Sequence, residues 1–463
     1  MNIPGFTGEA LTARDDGYEQ ARRVWNGAID RHPAVIARCH GAADVAAAVG
    51  YARDHDLPIA VRGGGHGVAG TAVCEGGLVV DCSPMRAVDV DPATRTIRAA
   101  AGCLWADVDR AGQRFGLAVP AGIVSHTGIA GLTLGGGIGW LMRKHGLTAD
   151  NLLAAEVVTA DGARLRCGAG EHEALLWALR GGGGNFGIVT AFEYRAHPVG
   201  PMVLAGPIIW PLDAAPQVLR FYRQWIREVP GELTTIVKLA RAPALPVIPA
   251  SLQGRPVVIL SCCYAGPLAD GTRVLRPLRT LGTPLLDLIA PRPYLENQAL
   301  NDPTVPHGWH YYWKSAETGE LSDDLIGALT EHTERITSPR SYTLIFQLGG
   351  AVAEIDENAT AYSHRRADHN INVNAVWLPG DPGAQQHRQW ARRLFTAIEP
   401  HQRGVYVNFL GDEGPERVRA AYGPEKFARL QAVKNAYDPQ NVFALNQNIP
   451  PSPAEIRLQL MHE

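Results

Sequence analysis

The distribution of apolar and polar residues along the chain predicts short strands and helices in close succession over residues 1–198. The segment PIAVRGGG predicts a strand that runs into a glycine loop, and AADVAAAVGYARDHD carries its valines at helical spacing. WADVDRAGQRFG predicts a short amphipathic helix. Turn signals at Asp91-Pro92 and Asp161-Gly162 lie between strand-like runs and predict hairpins. Strands and helices mixed in this way favour α+β layering over a regular βαβ series.

Residues 199–403 have a different pattern, in which longer strand-like segments alternate with long helices. RPVVILSCCYAG and INVNAVWLPG are typical of strands, whereas APQVLRFYRQWIREV and QQHRQWARRLFTAI have helical periodicity. Antiparallel strands backed by helices would form one layered domain. Residues 404–463 return to a compact pattern, with a helix predicted in GPEKFARLQAVKNAYDPQNVF. The prediction is an α+β fold divided into residues 1–198, 199–403 and 404–463.

Composition excludes several classes of protein. The chain has 463 residues, of which 46% are hydrophobic and 19% charged, and its net charge of −3 provides no basic field for nucleic acid. No run of about 18 apolar residues is present to span a membrane, and the N-terminus lacks the apolar core of a signal peptide. The seven cysteines form no CxxC pair and no zinc-ligand spacing, so buried free thiols are expected. We expect a cytoplasmic protein with no nucleic-acid or membrane partner.

Three glycine-rich loops in the first zone are the strongest chemical signal: RGGGHG (62–67), GLTLGGGIG (131–139) and GGGGNFG (181–187). Glycine allows backbone N–H groups to approach an anion without an intervening Cβ. None of the loops is a P-loop, and no acidic residue follows at the distance of the Rossmann fingerprint. The loops therefore indicate a large phosphate-containing ligand held in a non-Rossmann arrangement.

The loops and their surroundings carry a resemblance to a known family. PIAVRGGGHGVAGTAVCEGGLVVD, GLAVPAGIVSHTGIAGLTLGGGIGWLMRKHG and LLWALRGGGGNFGIVT resemble the FAD domain of the vanillyl-alcohol oxidase/p-cresol methylhydroxylase superfamily. YVNF and YDPQNVFALNQNIPP narrow the resemblance to the berberine-bridge-enzyme-like FAD-linked oxidases. The match covers residues 30–198 and 404–450, and the middle zone is similar in layout only. It implies a two-subdomain FAD-binding domain plus a central substrate domain with an antiparallel sheet backed by helices.

The resemblance also implies how FAD is held. In that family the histidine of the first loop is bonded to the flavin 8α-methyl group, and the matching residue is His66; a loop histidine beside dissociable FAD is the alternative. Many relatives add a cysteinyl link, but Val124 stands at that position, so a single link is expected. The implied cofactor-binding residues are Arg62, Gly63, Gly64, Gly65, His66, Gly67, Val124, His126, Thr127, Gly128, Gly131, Leu132, Gly135, Gly136, Gly137, Gly187, Ile188, Val189, Tyr406, Asn408, Asn446 and Asn448.

Two residues of the second loop leave alternatives open. His126 either faces the flavin, where it would tune N1/C2=O or a proton path, or makes a structural hydrogen bond. Thr127 matches a position beside the flavin where side-chain size controls oxygen access, and a small threonine is compatible with O2 reaching the flavin.

The YVNF motif implies the catalytic residues Tyr406 and Asn408, which would face the same side of a strand. In the family this tyrosine serves as, or helps to activate, the base that takes a proton from the substrate, with Asn408 positioning it or bonding the flavin. A phenol whose pKa is about 10 needs a cationic neighbour or an interaction with charged flavin to act as a base. The candidate cations are Lys314, His364, Arg365 and Arg366. The alternative is a pair of pocket-lining residues without a proton role.

The implied function is an FAD-dependent oxidase that transfers a hydride from a small-molecule substrate to flavin N5, with reoxidation by O2 giving H2O2. A dehydrogenase with another acceptor, a biosynthetic flavoenzyme driving cyclisation or rearrangement, and a non-catalytic protein with structural FAD remain alternatives. The aromatic residues of the middle zone favour a hydrophobic secondary metabolite over a free sugar, unless they belong to the core. They are Trp309, Tyr311, Tyr312, Trp313 and Trp377.

Overall fold

The computed structural model describes residues 3–244 and 246–453. Its strands are β1 (Glu9–Leu11), β2 (Val35–Arg38), β3 (Ile59–Arg62), β4 (Leu78–Asp81), β5 (Val88–Asp91), β6 (Thr96–Ala100), β7 (Leu117–Ala118), β8 (Leu152–Val158), β9 (Arg164–Cys167), β10 (Ile188–Arg195), β11 (His197–Pro198), β12 (Met202–Pro211), β13 (Leu233–Arg241), β14 (Pro256–Tyr264), β15 (Leu286–Asp287), β16 (Ala290–Pro293), β17 (His310–Thr318), β18 (Tyr342–Gln347), β19 (His369–Trp377) and β20 (Gln402–Gly404).

Its α-helices are α1 (Tyr18–Ala21), α2 (Ala42–Asp54), α3 (Trp105–Gln113), α4 (Ile129–Gly135), α5 (Met142–His145), α6 (Glu173–Leu179), α7 (Ala215–Trp225), α8 (Leu268–Arg279), α9 (Tyr294–Gln298), α10 (Asp323–Glu334), α11 (Ala351–Glu354), α12 (Ala384–Ile398) and α13 (Pro415–Tyr437). None of the described helices is both long and apolar enough to cross a membrane.

The N-terminal part contains two sheets. The first has the order β1-β2-β4-β3, in which β4 runs parallel to both β2 and β3. Parallel strands are covered on both faces, which agrees with the continuous apolar runs of β2 and β4. The second sheet, β5-β6-β10-β8-β9, is antiparallel. Its first hairpin turns where the sequence predicts, because the Asp91 carboxylate accepts hydrogen bonds from the amides of Ala93 and Thr94.

The central part is one large antiparallel sheet, with the order β15-β12-β14-β13-β18-β19-β17-β20 and β16 added beside β12. One face packs on helices α7, α10 and α12 through a core that includes Trp210, Tyr222 and Trp390. Because side chains alternate along a strand, the residues between those that pack on the helices point to the other face of the sheet. The second face turns toward the glycine loops and carries Lys238, with Leu344 and then Asn372 beside it in register.

The C-terminal segment returns to the N-terminal sheets. Tyr422, Phe427 and Leu430 of α13 share one apolar core with residues that begin at Ile3. On the same helix Lys434 forms an ion pair with Asp438 at 2.6 Å, with both side chains 0% exposed. The Lys434 ammonium also donates to the carbonyl oxygens of Asn185 and Phe443, and so ties the third glycine loop to the C-terminal segment.

These observations confirm the α+β fold class and the antiparallel sheet backed by helices. The seven cysteines are buried and free, as expected from their spacing. The division at residues 198 and 403 stays a prediction.

Candidate functional site

A deep cavity lies between the glycine loops and the open face of the large sheet. Most of its wall comes from residues 59–72, residues 122–140, the strands β13, β18 and β19, and the segment 406–447. The third glycine loop contributes Gly183, Gly184 and Asn185. Residues far apart in sequence therefore meet at one site.

Close backbone contact explains two of the glycines. A Cβ on Gly64 would lie 2.5 Å from the Cα of Gly128, and a Cβ on Gly128 would lie 2.4 Å from the amide nitrogen of Gly64. The backbones of the first two loops are therefore in direct contact, and only glycine at these two positions leaves room for that contact. By contrast, a Cβ on Gly67, Gly131 or Gly184 would meet no protein atom within 4 Å. These three line the cavity and leave their backbones open to a ligand, as a dinucleotide cradle requires.

His66 lies on the cavity wall with its ring stacked on Trp25, at a centroid distance of 4.3 Å. Its Nε2 atom is buried and has no hydrogen-bond partner among the described residues. Burial, with smaller effects of His126 and His307, lowers the pKa of His66 well below its ordinary value. The imidazole is therefore neutral and carries an unused ring nitrogen, which suits covalent attachment to FAD.

His126 lies behind His66 rather than on the cavity wall. The two ring centroids are 5.0 Å apart, and His307 is a further ring neighbour at 5.1 Å from His126. Burial lowers the pKa of His126, partly opposed by the charge of Asp302. Val124 and Thr127 do line the cavity. The geometry places His126 against His66 and not on the cavity surface.

Tyr406 and Asn408 lie on the cavity wall, against the second glycine loop. The Tyr406 hydroxyl accepts hydrogen bonds from the Gly137 amide at 2.9 Å and from Asn408 Nδ2 at 3.0 Å. The prediction of a strand here is wrong, because Val407–Phe409 form a 3₁₀ turn that brings the Asn408 amide back to the hydroxyl. Asn408 also donates to the Leu132 carbonyl, and its amide occupies the space that a Cβ on Gly135 would need.

In the described part of the chain, none of the four candidate cations forms a hydrogen bond or an ion pair with Tyr406. Arg365 forms a buried ion pair with a carboxylate elsewhere, and Lys314 pairs with Glu413. His364 bonds a backbone carbonyl, and Arg366 is exposed. Burial raises the pKa of Tyr406 to about 12. Lys314 and Arg365 are therefore already neutralised by carboxylates, and His364 already has a carbonyl partner, so none of them is available to stabilise a Tyr406 phenolate.

Two residues behind Tyr406 are not evident from the sequence. The Tyr362 ring contacts the Tyr406 ring edge-on at 6.0 Å, and its hydroxyl donates to Glu317 Oε1 at 2.8 Å. Glu317 is completely buried, which raises its pKa to about 8. The Glu317 carboxyl group, which can hold a proton near neutral pH, is therefore separated from the Tyr406 ring only by the Tyr362 side chain.

Of the predicted cofactor residues, a large group lines the cavity: Gly63, Gly64, Gly65, His66, Gly67, Val124, Thr127, Gly128, Gly131, Leu132, Tyr406, Asn408 and Asn446. The rest lie outside its lining: Arg62, His126, Gly135, Gly136, Gly137, Gly187, Ile188, Val189 and Asn448. Gly187 serves packing, because a Cβ there would lie 2.5 Å from Val157 on the neighbouring strand. Residues 183–185 face the cavity in its place.

The sheet supplies a polar wall that the sequence reasoning missed, formed by Lys238, Tyr342, Asn372 and Asn374. The segment HNINVNAVW did contain a signal, since asparagines at every second position predict a polar face on a buried strand. Of the five aromatic residues predicted as pocket candidates, Trp313 lines the cavity and the other four do not.

The fold and the glycine-walled cavity together define an FAD-binding oxidoreductase. The "FAD binding domain" family matches residues 33–168, and "Berberine and berberine like" matches residues 405–450. The chain is 33% identical to (R)-6-hydroxynicotine oxidase of Paenarthrobacter nicotinovorans, over 96% of this chain and 97% of the relative. The chain belongs to the berberine-bridge-enzyme-like FAD-linked oxidases of the vanillyl-alcohol oxidase/p-cresol methylhydroxylase superfamily.

Solved structures agree with this assignment. The crystal structure of 6-hydroxy-D-nicotine oxidase from Arthrobacter nicotinovorans superposes with a TM-score of 0.88 at 30% identity, covering 96% of this chain and 98% of that one. Physcomitrella patens BBE-like 1 has a TM-score of 0.87 at 25% identity with the same coverage. The protein is therefore an FAD-dependent oxidoreductase with a small-molecule substrate.

Proposed function

We propose that this chain is an oxidase in which FAD is attached through His66 alone, Tyr406 handles the substrate proton, and O2 accepts the electrons. The observation that carries the proposal is His66 itself, a neutral imidazole on the wall of the cavity whose buried Nε2 atom has no partner among the described residues. A buried polar atom without a partner is unusual in a folded protein, and a covalent bond to the cofactor would account for it.

The glycine backbones of the three loops would hold the dinucleotide part of the cofactor. When bound, the flavin supplies two-electron acceptor chemistry and delivers the electrons to O2. Val124 offers no thiol for a second link, so His66 is the single attachment point. Thr127 on the cavity wall leaves room for O2 to approach.

Tyr406 would hold the substrate donor group at its hydroxyl oxygen. The Gly137 and Asn408 donors fix the orientation of that hydroxyl and would support negative charge on it. With its pKa raised to about 12, Tyr406 carries its proton at neutral pH, and so it would take the substrate proton only as its own proton passes to water, rather than as a preformed phenolate. The largely apolar walls, with Trp313 and Tyr342, favour an aromatic or otherwise hydrophobic metabolite.

The attachment is tested by acid precipitation of the purified protein and peptide mapping of the flavin by mass spectrometry. We expect yellow colour in the pellet, on the His66 peptide alone, and loss of the colour from the pellet in His66→Ala. His126→Ala is the matched control, because it removes a neighbouring imidazole that does not line the cavity, and it should keep the flavin on His66. Flavin released into the supernatant, or flavin on a cysteine peptide, would contradict the single link.

The electron acceptor is tested separately. A substrate found by screening for H2O2 release is used to reduce the enzyme without oxygen, and the reduced enzyme is then mixed with aerated buffer in a stopped-flow instrument. Rapid reoxidation with stoichiometric H2O2 supports the oxidase. Slow reoxidation would favour a dehydrogenase, and an H2O2 yield that does not match product would favour the biosynthetic alternative.

A further inference from the structure

Lys238 is the one cationic residue among the side chains that line the cavity, and no aspartate or glutamate accompanies it in the described part of the chain. It lies on β13, with Ile259 and Leu344 as its partners in register on the neighbouring strands. Its ammonium nitrogen lies 4.1 Å from the ring centroid of Tyr342. It has no ion pair and no hydrogen bond to any described residue.

An ammonium group in such a place is costly without a counter-charge, because it has given up part of its water without gaining an acceptor. Burial accordingly lowers the pKa of Lys238 to about 8, so it is still mainly protonated at neutral pH. The contact with the Tyr342 ring compensates part of the cost. A ligand that brings an anionic acceptor would compensate the rest.

Further donors lie on the same wall, on the strands beyond Leu344. The Asn372 side chain has an Nδ2 group without a partner among the described residues, and so does the indole nitrogen of Trp313. Asn374 is held in place by a hydrogen bond from its Nδ2 to the Asn372 carbonyl at 2.8 Å. The wall thus presents several donors and one positive charge, between aromatic rings.

We propose that Lys238 is a substrate-binding residue that anchors an anionic group, a carboxylate or an ionised phenol or enol, on an aromatic substrate. The Asn372 amide and the Trp313 indole would donate to the same group, and the rings of Trp313 and Tyr342 would hold the aromatic body. The inference rests on the proposed function, because it takes the cavity to be the substrate cavity. It also disfavours cationic amines as substrates, since they would face an unpaired ammonium.

The test uses the flavin-loaded enzyme and two probes of similar size, benzoate and benzyl alcohol, with binding followed by perturbation of the flavin absorption spectrum. We expect the wild type to bind benzoate more tightly than benzyl alcohol. Lys238→Met keeps most of the length of the side chain and removes the charge. It should weaken benzoate binding by about tenfold or more, as for loss of a charge-assisted hydrogen bond, and leave benzyl alcohol nearly unchanged. Lys238→Arg is the matched control and should keep the preference for benzoate.

The pH dependence gives a second readout. The other titratable groups on the cavity wall are His66, Tyr342 and Tyr406. Burial lowers the pKa of His66 and raises the pKa of both tyrosines, so Lys238 is the one of the four that titrates in weakly alkaline solution. Benzoate affinity should therefore fall as the pH rises through about 8 in the wild type, and this fall should be absent from Lys238→Met.

The proposal is overturned if benzoate does not bind, if the two probes bind equally well, or if Lys238→Met keeps the wild-type preference. The flavin content of each variant is measured in the same samples. A wild type without covalent flavin would count against the attachment proposed above, whereas loss of the benzoate preference with flavin intact would count against the anchor alone.

Discussion

Replacement of Tyr406 by phenylalanine removes one oxygen atom and tests the proton role most directly. At pH 7.5, a phenol whose pKa is about 12 is ionised in roughly three molecules in 10⁵, so a preformed phenolate contributes little. If the hydroxyl transfers or orients the substrate proton, its loss should slow flavin reduction by about 10²–10⁴-fold, which corresponds to about 3–5 kcal/mol in the barrier.

The structure also sets the cost of Tyr406→Phe to folding. Asn408 keeps its bond to the Leu132 carbonyl, but the Gly137 amide and one N–H of the Asn408 side chain lose their acceptor. Each buried N–H left without a partner costs about 1–3 kcal/mol in the free energy of unfolding. Urea denaturation measures this loss in the free energy of unfolding without any substrate.

The assay is anaerobic single-turnover reduction in a stopped-flow instrument, with the substrate identified by H2O2 release. Tyr362→Phe is the matched control, because it removes a buried hydroxyl close to the Tyr406 ring from a residue that does not line the cavity. It should lose stability and keep most of the reductive rate. A reductive rate for Tyr406→Phe within about threefold of the wild type would refute a proton role and leave Tyr406 as a wall residue.

Two further predictions concern buried charges. Lys434→Met should lower the free energy of unfolding by about 3–5 kcal/mol, because it strands a carboxylate that is 0% exposed. Arg335→Met removes the cation of another i,i+4 ion pair, whose side chains are 69% and 55% exposed, and it should change stability by less than about 1 kcal/mol in the same urea titration. For Glu317, burial raises the pKa to about 8 from an ordinary value of 4.5, so the folded state holds the extra proton between these values. Stability should fall as the pH rises through this window, by at most about 1.4 kcal/mol per pH unit, and Glu317→Gln should flatten the profile; equal slopes for the two proteins would contradict the assignment.

The sequence was sufficient for the family and the fold class, because the motifs that carry them are local patterns. It could not separate glycines that face a ligand from glycines that pack against neighbouring backbone, and so it predicts Gly187, Ile188 and Val189 as cofactor residues, whereas Gly183, Gly184 and Asn185 line the cavity. It also could not show Lys238, since a single lysine in a strand looks solvent-exposed until the strand order places it inside a cavity. The sequence could not show the partners of Lys314 and Arg365 either, because each pairs with a carboxylate that is distant in the sequence.

The cavity draws its last wall from the segment that follows residue 404, and this has a consequence for the order of events in the cell. A ribosome makes the glycine loops and His66 long before it makes Tyr406, Asn408 and the helix that carries Lys434. Until that segment emerges and docks, the nascent chain has loops without the wall that faces them. The complete cavity wall therefore exists only once this segment has been made, and a chain truncated upstream of the YVNF motif would lack the part of the wall formed by Tyr406 and Asn408.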